Sequence, residues 1–280
     1  MPRVAWAQKP VRPNSKVAGV QIGLNVPYNF GGRDMNADEL LDRILKLNVN
    51  AVEMRSQPVE SFLGSPAADG RKVDADVMRS WRATVAMDRA GAFRRKYEDA
   101  GVLIEIVKYD GIYAMRDAEV DYCFNLARAL GARAISCEID VAHTKRIGSF
   151  ADKHKMMVGF HGHAATTPAH WEAAFSQARY NGANLDLGHF LAGNNASPVP
   201  FLKQHHARIT HVHVKDRKLN DGPNVPFGEG DTPIVEALRL IRDNKWPIQA
   251  TIEFEYPVPQ GSDRMAELQK CVDYCRTALA

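Results

Sequence analysis

The stretch ITHVHVKDRK, residues 209–218, puts His211, His213 and Lys215 on one face of an extended chain and Val212 and Val214 on the other. Period-two alternation marks a strand, and here the polar face carries groups that can bind or catalyse. Runs that read as strands recur along the chain at 16–24 (KVAGVQIGL), 51–55 (AVEMR), 102–109 (VLIEIVKY), 132–139 (ARAISCEI), 156–162 (MMVGFHG), 184–188 (NLDLG) and 250–256 (ATIEFEY). With 209–215 they make eight.

Helical patterns lie between them, with start signals at Asn36 before ADELLDRILKL, at Thr167-Pro168 before AHWEAAFSQARY, and at Asp231-Thr232-Pro233 before IVEALRLIRDN. Eight strand–helix units predict an α/β protein, a single-domain (β/α)8 TIM barrel over residues 16–280, close to the usual length of about 250 residues. No GxGxxG turn follows the first strand, which argues against an open dinucleotide-binding sheet. The longest interruption, 57–100, reads as an elaborated loop plus a long helix after the second strand.

The 280 residues are 45% hydrophobic and 25% charged, with 36 basic against 33 acidic residues and a net charge of +3. No basic run tracks a phosphate backbone, so nucleic acid is not the expected partner. No stretch approaches the roughly 18 apolar residues of a membrane span. Cys123, Cys137, Cys271 and Cys275 form no CxxC pair and read as buried thiols. Residues 1–15 read as an N-terminal tail. Within it, Ala5-Trp6-Ala7 has the small-x-small pattern that closes export signals, so two placements stand side by side: a periplasmic protein with a trimmed signal, or a cytoplasmic one.

In a parallel barrel the active site forms at the carboxyl ends of the strands. Ionisable residues sit near six of those ends: Glu53, Glu138, His161 with His163, Asp186, His211 with His213 and Lys215, and Glu253 with Glu255. Gathering so many there without compensation would cost on the order of several kcal/mol each. A divalent cation neutralises them economically, and carboxylate oxygen with imidazole nitrogen suits Mn, Co, Zn, Mg or Fe(II).

The ordered set Asp186-x-x-His189, HVHVKD (211–216) and IEFE (252–255) resembles the xylose isomerase-like TIM barrels, a superfamily of sugar isomerases and epimerases that also includes endonuclease IV. The resemblance covers nearly the whole chain. It implies one divalent metal held by Asp186, His213 and Glu253, with His189 touching the substrate. Where the family commonly reads Glu-Asn-His on the fifth strand, this chain reads His161-Gly162-His163, so His161, Glu138 or both complete the coordination.

The resemblance implies a small carbohydrate substrate and a metal-dependent isomerase or epimerase that works through an enediolate on a keto-sugar. His163, Lys215 and Glu255 are its candidate acids and bases. Glu53, and Arg217 and Glu229 from the loop 216–233, join His189 as substrate contacts. Loss of one of the family's paired glutamates leaves a competing reading, elimination from a 3-keto-sugar or 3-keto-glycoside. A non-catalytic sugar-binding barrel is the reading from another class, and a homo-oligomer is compatible with all three.

Overall fold

The computed structural model describes residues 12–280. Eight parallel strands close into a barrel: β1 (Val20–Val26), β2 (Ala51–Arg55), β3 (Leu103–Lys108), β4 (Ala134–Glu138), β5 (Met157–His161), β6 (Asn181–Asp186), β7 (Ile209–Val214) and β8 (Gln249–Ile252). Each pairs with the next in sequence, and β8 returns to β1. Helices follow every strand and cover the outside, so the fold is the (β/α)8 TIM barrel the sequence predicts. Outward residues such as Ile22, Leu24, Val212 and Val214 are fully buried beneath the helices. All four cysteines are buried and free.

The strand ends differ from the sequence-based limits for local reasons. Ala18 and Gly19 turn with positive φ, so 16–24 splits into a two-residue strand, Lys16–Val17, folded back on the start of β1. The sixth strand starts three residues earlier than expected and stops at Asp186, where the helix Leu187–Asn194 begins. The last strand ends at Ile252: Asn29 donates from its amide to the Ile252 carbonyl (2.8 Å) and accepts from the Phe254 N–H (2.9 Å), turning the chain away from the sheet.

Asn36 caps its helix, accepting from the Asp38 N–H at 2.9 Å, and Thr167 and His170 bond reciprocally at the start of Pro168–Gln177. Asp231 does not cap the helix Ile234–Asp243. Its carboxylate accepts from the Leu219 N–H (3.0 Å) and steadies the loop instead.

The 57–100 segment holds helices Ser56–Phe62, Ala75–Thr84 and Asp88–Asp99, so the expected long helix is broken in two. Ala75–Thr84 buries none of its residues. Ion pairs fasten it to its surroundings, with Arg82 3.0 Å from both Glu60 and Glu119.

Most of the expected N-terminal tail, with Ala5-Trp6-Ala7, lies outside the described residues. Its last residue is packed: the Ser15 hydroxyl is buried and donates to the Ile22 carbonyl at 2.7 Å. Among the described residues no helix is long and apolar enough to cross a membrane.

Candidate metal centre at the strand ends

Four side chains converge at the mouth of the barrel: His161 at the end of β5, Asp186 at the end of β6, His213 in β7 and Glu253 just past β8. One donor atom from each lies within 4.8 Å of the others. His161 Nε2 is 3.3 Å from Asp186 Oδ2, and His213 Nδ1 is 3.1 Å from Glu253 Oε2. All four residues are buried.

Each donor is aimed by a second contact. Glu53 Oε2 lies 2.6 Å from His213 Nε2 and takes that ring's N–H, which leaves Nδ1 for the cluster. Glu138 Oε2 lies 3.0 Å from His161 Nδ1 in the same way, and its other oxygen is held by Lys108 at 2.8 Å. Asp186 spends Oδ1 on the His189 N–H (2.7 Å), capping the helix Leu187–Asn194, and keeps Oδ2 for the cluster. Glu253 accepts from the Asn25 amide through Oε1 (2.8 Å) and keeps Oε2.

These atoms fit a divalent cation. His213 Nδ1 and Glu253 Oε2 are buried without a well-aligned hydrogen bond, and two carboxylate oxygens with two imidazole nitrogens are the donor set of Zn, Mn, Co or Fe(II) sites. Two glycines make the arrangement possible. A Cβ on Gly162 would collide with the Trp171 ring under the His161–His163 corner, and one on Gly188 would collide with Lys215 Cγ.

Lys215 competes for the same oxygens. Its ammonium lies 3.1 Å from Asp186 Oδ2, 2.6 Å from Glu253 Oε2 and 2.7 Å from Glu255 Oε2. Burial lowers the lysine's pKa, but the three carboxylates outweigh it and hold the group above its usual range. Burial likewise works against ionised Asp186 and Glu253. Lys215 and His189 outweigh it at Asp186, and His213 and Lys215 at Glu253, so both sit well below the usual carboxylate range. For His213, burial lowers the pKa while Glu253 and Glu53 hold it up at about 10.

Above the cluster opens a cavity of about 700 Å3, walled in part by Tyr28, Arg55, Lys108, His161, His189 and Glu255. Glu255 accepts from the Tyr28 hydroxyl at 2.7 Å. His163 is exposed at the rim, 3.1 Å from Glu138, and that hydrogen bond raises its pKa. His189 stands between Lys215 Nζ, 3.0 Å from Nε2, and Arg217 Nη1, 2.8 Å from Nδ1. A guanidinium and an ammonium can only donate, so each ring nitrogen of His189 faces a donor. Burial drops the His189 pKa to about 4, which keeps the ring neutral.

Four of the expected site residues are placed elsewhere. Glu53 has no exposure and lies behind His213, 3.2 Å from His211 as well, so it cannot meet a substrate. Glu229 is exposed and lines a separate cavity with Tyr256, Lys270 and Tyr274. Glu138 stands outside the four-atom cluster and backs His161. Arg217 points at His189 and at the Gly222 carbonyl (2.7 Å) rather than into the open cavity.

The sequence reading overlooked Tyr28, Arg33, Arg55 and Lys108, all in the cavity wall. Arg55 and Lys108 are the last residues of β2 and β3, and the rule applied to acids and histidines would have found them.

No protein-family model and no curated protein matches the chain. Solved structures do. A xylose isomerase domain protein from Planctomyces limnophilus aligns at TM-score 0.66 with 16% identity, over 92% of this chain and 96% of that one. A xylose isomerase-like TIM barrel protein from Mycobacterium smegmatis in complex with magnesium gives 0.63 and 14%, over 93% and 96%. The 3-keto-D-glucoside 4-epimerase of E. coli gives 0.63 and 10%, over 92% and 99%. At such identities the likeness is one of fold: this chain has the fold of the xylose isomerase-like TIM barrels.

Proposed function

We propose that this barrel is a divalent-metal-dependent isomerase or epimerase that moves a proton next to the carbonyl of a keto-sugar. The observation that carries the reading is the convergence of His161, Asp186, His213 and Glu253, each aimed by a second contact, beneath a cavity of about 700 Å3. A cation bound there supplies Lewis-acid polarisation of the carbonyl.

The chain's own groups divide the remaining work. The Glu255 carboxylate, positioned by Tyr28 and Lys215, takes the proton from the carbon beside the carbonyl. Lys215, protonated among three carboxylates, hydrogen-bonds the oxygen that gains negative charge as the enediolate forms, and neutral His189 beside it contacts the substrate. His163, backed by Glu138 and open to solvent, returns the proton to the adjacent carbon or to the other face. Its presence supports proton return over elimination, because it gives the enediolate a proton donor from a different strand than Glu255.

The test is NMR of candidate keto-sugars in D2O with the metal-loaded protein. Deuterium beside the carbonyl with the carbon skeleton intact supports the reading. Loss of water or of an aglycone turns it into a lyase, and no exchange with any of Mn, Co, Zn, Mg or Fe(II) overturns it.

A further inference from the structure

The cavity above the cluster continues past Glu255. A second cavity of about 460 Å3 shares Tyr28, Arg33 and Glu255 with the first and runs on over Asn224, Phe254 and Arg264. Each of the two has the size of a complete small-molecule pocket, so a single monosaccharide leaves the second one empty.

The second cavity has a definite charge. The Arg33 guanidinium is exposed and has no hydrogen-bond or ion-pair partner among the described residues. Arg264 lies over the Phe254 ring, 4.9 Å from its centroid, and among the described residues donates only to the Asn29 carbonyl at 3.2 Å. Both arginines line this cavity, and the Arg264 guanidinium packs against Gly31, two residues before Arg33, where a Cβ would sit 3.4 Å from its Nε. One carboxylate reaches this cavity, that of Glu255, and Tyr28, Lys215 and Asn224 already occupy it. Two guanidiniums with no ion-pair partner among the described residues, set in a concave wall, match a carboxylate or a phosphate.

Resting on the proposed function, we infer that the substrate is a keto-sugar extended by a second group that bears an acidic substituent, seated against Arg33 and Arg264 while the reacting carbonyl lies over His161, Asp186, His213 and Glu253. Tyr28 and Glu255 mark the border between the two halves.

The experiment measures deuterium exchange on one keto-sugar in four forms: free, joined to a neutral ring, joined to a carboxylated ring, and joined to a phosphorylated ring. The expected result is a kcat/KM about tenfold higher for an acidic form than for the neutral-ring form, the size of a charge-assisted hydrogen bond. The carboxylated and phosphorylated arms decide which acid is meant. In R33A and R264A the acidic-to-neutral ratio falls toward one, and in R33K and R264K part of it returns. Exchange on the free and neutral-ring sugars with no gain from either acid overturns the inference and leaves the proposed function standing. Absence of exchange on all four overturns both.

Discussion

His213 presents Nε2 to Glu53 at 2.6 Å and Nδ1 to Glu253 at 3.1 Å, so one imidazole joins a carboxylate buried behind the site to a carboxylate at its mouth. In the proposed centre Glu53 fixes which nitrogen binds the metal. Replacing it by Ala frees the ring to turn and lets water or solvent protons compete, and metal affinity is expected to fall 10- to 100-fold. Titration of the metal-free variant with Zn or Mn checks this. Wild-type affinity in E53A would remove Glu53 from the proposal.

Asp186 does two jobs, and they separate by mutation. Asp186→Ala removes the cap on Leu187–Asn194, costing about 1 kcal/mol, as well as the ligand oxygen. Asp186→Asn keeps an acceptor for the His189 N–H and loses the ligand's charge. Both variants are expected to lose metal and turnover, while only the Ala variant melts clearly lower. Thermal denaturation beside metal analysis reads both, and full turnover in metal-free D186N would end the assignment.

How far the sequence foretold this arrangement depends on which geometry is asked about. Alternation fixes the face of a strand residue, so His211, His213 and Lys215 point inward as read. Height is another matter, because it depends on where each strand ends and on the stagger of the closed barrel. The second strand has its expected limits, 51–55, and within it Arg55, the last residue, takes the place at the cavity wall while Glu53, two residues earlier, drops behind His213. The segment NLDLG read as a strand because it is apolar, whereas Asp186 accepting the His189 N–H starts a helix inside it. Glu229 sat in the loop expected to cover the site, yet Asp216 gathers the Gly228 and Gly230 N–H groups and holds that turn over a different cavity.

Arg217 acts through His189. With Arg217→Met Nδ1 loses its donor while Lys215 still faces Nε2, so the proton of neutral His189 is expected to settle on Nδ1. Nitrogen chemical shifts of His189 in labelled protein report the tautomer directly. KM for the keto-sugar is expected to rise about tenfold, the worth of one charged hydrogen bond. A His189 spectrum identical to wild type would show that Lys215 alone sets the proton's position.

The Glu60–Arg82–Glu119 network predicts a stability change far from the site. Arg82→Met leaves two buried carboxylates without their shared cation, and a loss of about 3 kcal/mol is expected. The same network sets a pH dependence. Burial raises the Glu119 pKa, but the Arg116 N–H and Arg82 outweigh it and leave it below the ordinary value of 4.5. The folded state therefore holds fewer protons than the unfolded one just below that value. Its contribution is complete above the carboxylate range and is lost as the pH falls through it. Denaturant midpoints at pH 7 and pH 4 should fall less between the two pH values in R82M than in wild type, and equal drops would contradict the network's role.

Lys215 separates metal binding from turnover. Its ammonium sits against Asp186 Oδ2 and Glu253 Oε2, the two oxygens assigned to the cation, so in the wild type a metal binds beside a positive charge. Lys215→Met removes that repulsion and leaves Asp186, Glu253 and Glu255 short of a counter-charge in the metal-free protein. Metal affinity is then expected to rise by about tenfold, and the melting temperature to climb more steeply with added metal than in wild type. Deuterium exchange on a keto-sugar is expected to be lost, because no protonated amine faces the developing enediolate. Calorimetric titration with Zn or Mn checks the affinity and NMR the exchange. A K215M protein that binds metal more weakly would mean that the lysine supports the site rather than competing for it.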